Sequence, residues 1–287
     1  MLEFTEKIAI DKGWSGDRKY RVTATDGTPY LLRVSPAESY EKKQEEFRVM
    51  TAVFALGVPM CAPVAIETDG REVLTLHTWI AGRDAADCIA EFPAEEQYTY
   101  GYRAGELLSK IHTLPAPEGR EDWESYYGRK IDRKLRQYRD CPLRYEGGEA
   151  LEAFVTAHRH LLAGRPTTLH HGDYHIGNMR IGEDGRLYII DFDRFDYGDP
   201  WEEFNRIVWC VKESPRFATG MVNGYFGGDV PREFFELLAL YIATNTLSSL
   251  PWAIPFGEGE VATMRAQARE VLDWYSGMTT AVPSWYL

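Results

Sequence analysis

Two neighbouring stretches of the sequence decide the fold: Leu-His-His-Gly-Asp-Tyr-His-Ile-Gly-Asn at residues 169–178 and Ile-Ile-Asp-Phe-Asp at residues 189–193. The first contains Asp173 and, five positions later, Asn178, and the second contains Asp191 at the end of a strand-like run. A Gly-Glu-Asp-Gly turn between them predicts a short hairpin that brings Asp191 back beside Asn178. The sequence therefore predicts three oxygen-bearing side chains at one place.

Phosphoryl transfer needs this combination of side chains. Asp173 would orient an attacking hydroxyl and accept its proton, while Asn178 and Asp191 would offer oxygens to Mg²⁺, a hard cation. In the structural alternative, the first two residues only cap a turn and the third only ends a strand. A His-Gly-Asp-x₄-Asn string arises by chance in roughly one chain in a thousand of this length, so we favour the chemical interpretation.

Two other kinds of site are disfavoured because their patterns are missing. His171 and His175 are four positions apart, but they lack the Glu and the third ligand of a helical zinc motif. A Walker-type Gly-x₄-Gly-Lys-Ser/Thr string is absent, which argues against a P-loop kinase. The four cysteines are widely separated in the sequence, and we expect them to be buried thiols.

The sequence changes from strand-like to helical character near Gly82. Before it, two Asp-Gly turns between strand-like runs predict hairpins, and Arg33 falls on one of the strands. Apolar residues at helical spacing predict helices over residues 40–56, 100–111 and 123–144. The third helix contains a basic run at residues 129–136, for which we favour a solvated helix face; the alternative is a contact with nucleotide or substrate.

With these motifs the sequence resembles the aminoglycoside phosphotransferase family, whose protein-kinase-like fold also includes choline kinases and other small-molecule kinases. The resemblance rests on His171-Gly172-Asp173 with Asn178, Ile190-Asp191-Phe192 and Gly198-Asp199-Pro200. It implies an α+β, two-lobed protein-kinase-like fold, with a small β-rich nucleotide-binding lobe at residues 1–82 and a larger, mainly helical catalytic and acceptor-binding lobe at residues 83–287. It also implies a catalytic base at Asp173 and metal ligands at Asn178 and Asp191.

The same resemblance implies where a nucleotide would bind in the N-terminal lobe. The turn at residues 13–17, with Ser15 and Gly16, would cover the triphosphate through its backbone N–H groups. Thr78 and Ile80 would lie where the family contacts the nucleobase.

Arg33 takes the strand position at which the family usually has Lys. Its expected helix partner is Glu46, or Glu45 if the register differs by one. A guanidinium can hold phosphate oxygens bidentately, although it is bulkier than an ammonium and differs in geometry. A surface ion pair is the structural alternative.

The Gly198-Asp199-Pro200 motif also predicts a helix start, with Asp199 as N-cap and Pro at the first helical position. Asp199 would then support the catalytic loop from behind. The family usually continues with a Tyr-Asp-Leu-like string, whereas this chain has Glu202, Glu203 and Phe204. The role of Glu203 therefore stays open at this point.

Together these expectations describe a kinase that moves the γ-phosphoryl group of ATP or GTP, with Mg²⁺, to a hydroxyl of a small molecule. An aminoglycoside-like antibiotic is the first choice of acceptor, because a net charge of −12 suits a cationic molecule. The alternatives are a metabolite kinase for choline, homoserine or a sugar, and a catalytically inactive kinase-like binding protein. The acidic charge argues against nucleic acid as a partner. The lack of a leader-like start and of long apolar runs argues against a membrane and favours a cytoplasmic location.

Overall fold

The computed structural model describes residues 2–11 and 16–287. Contacts divide the chain into two compact units, Met1–Asp87 with Asn178–Phe195, and Cys88–Gly177 with Asp196–Leu287. The first unit thus reaches to Asp87 rather than to Gly82, and it includes the hairpin that carries Asn178 and Asp191. The chain enters each unit twice.

Strands predominate in the first unit and helices in the second. In chain order the strands are β1 (Phe4–Ile10), β2 (Arg18–Ala24), β3 (Pro29–Pro36), β4 (Pro63–Thr68), β5 (Glu72–Thr78), β6 (Gly82–Asp84), β7 (Thr168–His170), β8 (Met179–Gly182), β9 (Leu187–Ile189) and β10 (Asp196–Gly198). The α-helices are α1 (Tyr40–Ala55), α2 (Ala85–Cys88), α3 (Ala94–Ile111), α4 (Trp123–Asp140), α5 (Gly148–His158), α6 (Ile207–Glu213), α7 (Pro215–Phe226), α8 (Arg232–Ala253) and α9 (Glu258–Trp274).

The main sheet of the first unit is antiparallel, with strand order β1-β2-β3-β5-β4. The two hairpins predicted from Asp-Gly turns are confirmed as β2–β3 and β4–β5. Leu32 and Val34 of β3 belong to a buried apolar core. Because side chains alternate along a strand, Arg33 and Ser35 lie on the opposite face, and helix α1 contacts β4 and β5.

A smaller sheet, β6-β8-β9, contains the hairpin predicted from the second motif, which is confirmed. Gly185 makes its turn with φ +73°, a conformation that favours glycine. The carbonyl oxygen of Asn178 accepts a hydrogen bond from the N–H of Ile190 at 3.0 Å. Asn178 and Asp191 therefore stand at the same end of the hairpin, and Asp191 has φ +68°, unusual for a residue with a side chain.

In the second unit, helices α3 and α7 pack at unusually close range through glycines on both helices. A Cβ atom placed on Gly105 would lie 2.1 Å from the carbonyl oxygen of Met221, and one on Gly224 would lie 1.9 Å from that of Tyr102. Only hydrogen fits at such distances. The glycines thus set the separation of the two helices.

Three boundaries differ from the sequence prediction, the first being that α3 begins at Ala94 rather than at residue 100. Helix α4 ends at Asp140 rather than near residue 144, because Pro142 disfavours helical backbone at the preceding residue, Cys141. The helix start predicted at Asp199 is a turn in which the side chain of Asp199 accepts a hydrogen bond from the N–H of Trp201. A 3₁₀-helix, Glu202–Arg206, follows that turn before α6 begins.

Helix α8 is the centre of the second unit and contacts α4, α5 and α9. Of the helices in the described ranges, it alone, extended to Phe256, is long and apolar enough to cross a membrane. The core helices of soluble proteins also meet this criterion, and 67% of the apolar window is buried here. Its apolar character is therefore matched by packing within the unit.

Candidate active site

A cluster of buried charges lies between β3 and α1 in the first unit. It consists of Asp17, Arg33, Lys43 and Glu46, and each side chain is less than a tenth exposed. We call it the Arg33 cluster. The carboxylate of Asp17 accepts hydrogen bonds from Arg33 Nε at 2.9 Å, from Lys43 Nζ at 2.8 Å and from Ser35 Oγ at 2.7 Å. Burial opposes its charge, but the hydrogen bonds from Lys43 and Ser35 and the charge of Arg33 lower the pKa of Asp17 to about 2.

The helix partner of Arg33, which the sequence left open, can be read from the distances. Arg33 Nη1 lies 3.7 Å from Glu46 Oε1, whereas Glu45 forms an exposed ion pair with Arg48. Glu46 also accepts a hydrogen bond from Lys43 Nζ at 2.8 Å, one helical turn earlier on α1. Burial alone would lower the pKa of Arg33, but the surrounding carboxylates, first that of Glu46, raise it above its ordinary value.

Arg33 also reaches the end of the hairpin. Its Nη1 donates to Asp191 Oδ1 at 3.3 Å, and its Nη2 lies 4.0 Å from Asp193 Oδ2. Burial and the charge of Asp191 raise the pKa of Asp193. Arg33 therefore links a helix carboxylate, Glu46, to the carboxylate that the sequence predicts as a metal ligand.

The charges at this end of the hairpin fit a divalent cation. With Asp191 and Asp193 included, the Arg33 cluster places four carboxylates around two cations. The oxygens of an amide and a carboxylate, those of Asn178 and Asp191, are ligands that Mg²⁺ accepts. In residues 2–11 and 16–287, no group of three or more His, Cys, Asp or Glu residues is arranged to hold a metal. An ion at Asp191 would therefore need further oxygens from phosphate or water.

The other predicted nucleotide contacts have simpler surroundings. Ser15 lies outside the described residues, and a Cβ placed on the adjacent Gly16 would meet open space. Thr78 Oγ1 accepts a hydrogen bond from the N–H of Ala62 at 2.8 Å, and Ile80 is buried. Next to Thr78, the His77 side chain is 3% exposed, and neither ring nitrogen has a hydrogen-bond partner among the described residues. Burial lowers its pKa to about 3, so the ring is neutral.

In the second unit, Asp173 follows β7 in a tightly held loop. Its carboxylate lies 3.4 Å from Arg206 Nε and 3.7 Å from His175 Nε2, and the side chain is 17% exposed. The N–H of Asp173 donates to His171 Nδ1 at 3.3 Å. Asp173 is thus partly open to solvent and fixed through its backbone.

Glu203, whose role the sequence left open, holds this loop. One carboxylate oxygen accepts the N–H of His171 and the other that of Gly172, both at 2.7 Å. Its side chain is 1% exposed, and His112 Nε2 lies 3.4 Å away. Burial opposes the charge, but the hydrogen bond with His112 and the nearby His170 lower the pKa of Glu203 to about 2. The loop before Asp173 is therefore anchored to a buried carboxylate.

Asp199 has a supporting position in the same unit. Its carboxylate accepts two hydrogen bonds from Arg165, both at 2.8 Å, and one from the hydroxyl of Tyr241 at 2.5 Å. His170 contacts its backbone oxygen at 2.9 Å. These contacts tie β7, the strand that precedes the Asp173 loop, to α8, without directing the carboxylate of Asp199 to solvent.

Sequence reasoning placed Asp17 in the predicted phosphate-covering turn but missed its ion pairs, missed Lys43 and did not resolve Glu203. Lys43 had one usable signal, because it lies on the same helix face as Met50 and Glu46, where a solvated lysine is not expected. Asp17 had none, because its partners are 16 to 26 residues away in the sequence.

The structure is similar to several solved small-molecule kinases. A choline/ethanolamine kinase family protein from Mesorhizobium loti is 16% identical, with a TM-score of 0.68 over 96% of this chain and 91% of that one. The amicoumacin kinase hAmiN, in complex with AMP-PNP, Ca²⁺ and Ami, is 13% identical, with a TM-score of 0.66 over 98% and 92%. A thermostable mutant of the aminoglycoside phosphotransferase APH(4)-Ia, in complex with ADP and hygromycin B, is 15% identical, with a TM-score of 0.65 over 94% of each chain.

At these identities the similarity shows the fold, and the predicted α+β kinase-like fold is confirmed. The family follows from the sequence match. Residues 8–235, which include both motifs and most of the chain, match the phosphotransferase enzyme family, APH, and the chain belongs to that family.

Proposed function

We propose that the protein is a Mg²⁺-dependent kinase that transfers the γ-phosphoryl group of ATP or GTP to a hydroxyl of a small molecule. The observation that carries the proposal is the buried Arg33, which lies within 3.7 Å of Glu46 and 3.3 Å of Asp191. Kinases of this general type need a cation, a helix glutamate and a metal-binding aspartate together. Family membership and the named nucleotide complexes of structural neighbours support the same reaction.

Each proposed role follows from the chemistry of one side chain. Arg33, with Lys43 beside it, would bind phosphate oxygens of the nucleotide. Asn178 and Asp191 would hold Mg²⁺, which when bound neutralises charge on the phosphates. Asp173 would accept the proton of the acceptor hydroxyl, and its partial exposure leaves room for that contact.

Release of ADP or GDP with a panel of hydroxylated acceptors, with and without Mg²⁺, tests the proposal. We expect Asp173→Asn to lower turnover by about 10²- to 10⁴-fold with nucleotide binding retained. Asp191→Ala should abolish metal-dependent transfer, and the exposed Asp229→Asn should have no effect. Near-native turnover in Asp191→Ala would overturn the metal assignment.

A catalytically inactive binding protein is the alternative from another class, and acceptor-dependent release of ADP or GDP separates the two. A kinase and an inactive relative would both gain stability from nucleotide, by about 2.7 kcal/mol at a concentration of a hundred times Kd. Only a kinase would also release ADP or GDP in an acceptor-dependent way. Stabilisation without such release for every acceptor would favour the inactive protein.

A further inference from the structure

A basic side chain of the second unit, Arg206, lies beside the carboxylate of Asp173. Arg206 lies at the end of the 3₁₀-helix Glu202–Arg206, and its Nε is 3.4 Å from Asp173 Oδ1. The side chain of Arg206 is 31% exposed, so part of its guanidinium remains accessible. The group next to the predicted catalytic base is therefore a cation.

Two lysines of α4 lie near the 3₁₀-helix that carries Arg206: one contacts Glu202 of that helix, and the other feels the charge of Arg206. Lys130 and Lys134 are four residues apart and hence on one face of the helix. Lys130 Nζ lies 3.1 Å from Glu202 Oε1, and Lys134 Nζ donates to the amide oxygen of Asn245 at 3.1 Å. We call Lys130, Lys134 and Arg206 the α4 cation cluster.

The cluster has fewer acids than cations. Arg206 is matched by Asp173 and Lys130 by Glu202. In the described part of the chain no carboxylate lies within ion-pair distance of Lys134, whose hydrogen bond goes to a neutral amide. Burial and the charges of Lys130 and Arg206 lower the pKa of Lys134 to about 7, and Glu202 only partly opposes this. An oxyanion bound beside Lys134 would offset the free-energy cost of burying the lysine charge and would reduce its repulsion by Lys130 and Arg206.

We propose that the α4 cation cluster is a subsite for an oxyanion, such as a carboxylate, on the hydroxylated acceptor. This inference rests on the proposed function and narrows the acceptor class. It disfavours a polycation such as an aminoglycoside, because Arg206, and Lys134 when it is protonated, would repel ammonium groups near Asp173. A chain with a net charge of −12 attracts anions only where cations are locally in excess.

Acceptors that share a carbon skeleton and differ in charge test the subsite. Gluconate, glucose and glucosamine form one such series, and glycerate and glycerol form another. At equal concentrations we would measure the shift in Tm of the full chain and the Mg²⁺-ATP-dependent release of ADP. We expect the anions to raise Tm and to be phosphorylated in preference to their neutral and cationic counterparts.

The matched variants are Lys134→Met, which removes the charge at similar size, and Lys110→Met, the same change at an exposed position of α3. Lys134→Met should weaken the apparent affinity for the anions about ten- to hundredfold. The affinity for the neutral compounds should be unchanged, and Lys110→Met should behave as wild type.

Three outcomes test the subsite. It is wrong if anions have no advantage in either readout for the wild type. It is also wrong if Lys134→Met lowers kcat equally for all acceptors, since the cluster would then serve the transferred phosphoryl group. If anions raise Tm through Lys134 but no compound in this or the wider acceptor panel is phosphorylated, the subsite stands and the proposed kinase function fails.

Discussion

Replacing Glu203 by Gln should separate the structural support of the Asp173 loop from the chemistry proposed for Asp173. The two carboxylate oxygens of Glu203 each accept one backbone N–H, from His171 and from Gly172, at 2.7 Å. Gln keeps the size of the side chain but offers only one acceptor oxygen. Its NH₂ group would face one of the two backbone N–H groups, so a donor would meet a donor.

Two independent arguments give the free energy of unfolding that Glu203→Gln should lose. The pKa of Glu203 falls from 4.5 to about 2, which corresponds to about 3 kcal/mol of folding free energy near pH 7. Loss of one buried hydrogen bond to a charged acceptor gives about 2 kcal/mol independently. We therefore expect Glu203→Gln to lower the free energy of unfolding by about 2 to 3 kcal/mol.

The stability difference between wild type and Glu203→Gln should depend on pH in a characteristic way. A carboxylate whose pKa is lowered in the folded state stabilises the protein above its unfolded-state pKa and loses that effect as pH falls. The difference between wild type and Glu203→Gln should therefore be constant above about pH 5.5 and narrow by about 1 kcal/mol near pH 4. The amide of Glu203→Gln does not titrate, so this pH-dependent narrowing can come only from the carboxylate of the wild type.

Urea unfolding at several pH values, followed by tryptophan fluorescence, measures the difference. The exposed Glu213→Gln is the matched control and should stay within about 0.5 kcal/mol of wild type. If the loop also loses its position, turnover of Glu203→Gln should fall about 10²-fold with nucleotide affinity kept. Wild-type stability together with wild-type turnover would refute the anchoring role.

Two further predictions concern other buried contacts. Gly224→Ala should destabilise the protein by about 3 kcal/mol, because its Cβ would meet the backbone oxygen of Tyr102. The control is Gly259→Ala on α9, where a Cβ has open space, and it should be neutral or stabilising by up to about 1 kcal/mol. Thermal unfolding of both variants measures the difference. Lys43→Met leaves Arg33 as the one cation of the Arg33 cluster beside two buried carboxylates, Asp17 and Glu46, and should cost about 3 kcal/mol in urea unfolding. The exposed Lys42→Met should change the stability little. Equal midpoints within either pair would contradict the packing or the charge argument.

The parts of the structure that could be predicted from the sequence depend on short local patterns, such as turns and the spacing of neighbouring residues. Asp-Gly turns gave the hairpins, because such turns fix the pairing of the strands that flank them. The spacing of Asp173, Asn178 and Asp191 pointed to phosphoryl transfer because three oxygen-bearing side chains in one loop and the next strand are typical of that reaction. Helix boundaries were less accurate, as the early end of α4 at Asp140 shows.

The parts that could not be predicted depend on contacts between distant residues. Glu203 meets His171 across 32 positions and His112 across 91, and no local pattern marks those partners. Asp17 likewise reaches Lys43 across 26 positions. In each case a charged residue is stable in the interior only because a partner from elsewhere in the chain satisfies it. The sequence shows the charge but not the partner.

The basic run on α4 illustrates why net charge is a weak guide to an acceptor. The sequence left two interpretations of this run, a solvated helix face and a contact with nucleotide or substrate. In the structure some of its residues are solvated and others turn towards the interior of the second unit. Arg129, Arg133 and Arg136 are exposed, whereas Lys130 and Lys134 turn towards Glu202 and Asn245. An electrostatic field is dominated by charges within about a Debye length, roughly 8 Å at physiological salt. The acceptor that we propose to bind at Asp173 would therefore respond to Arg206 and its neighbours more than to the acids that make the whole chain negative.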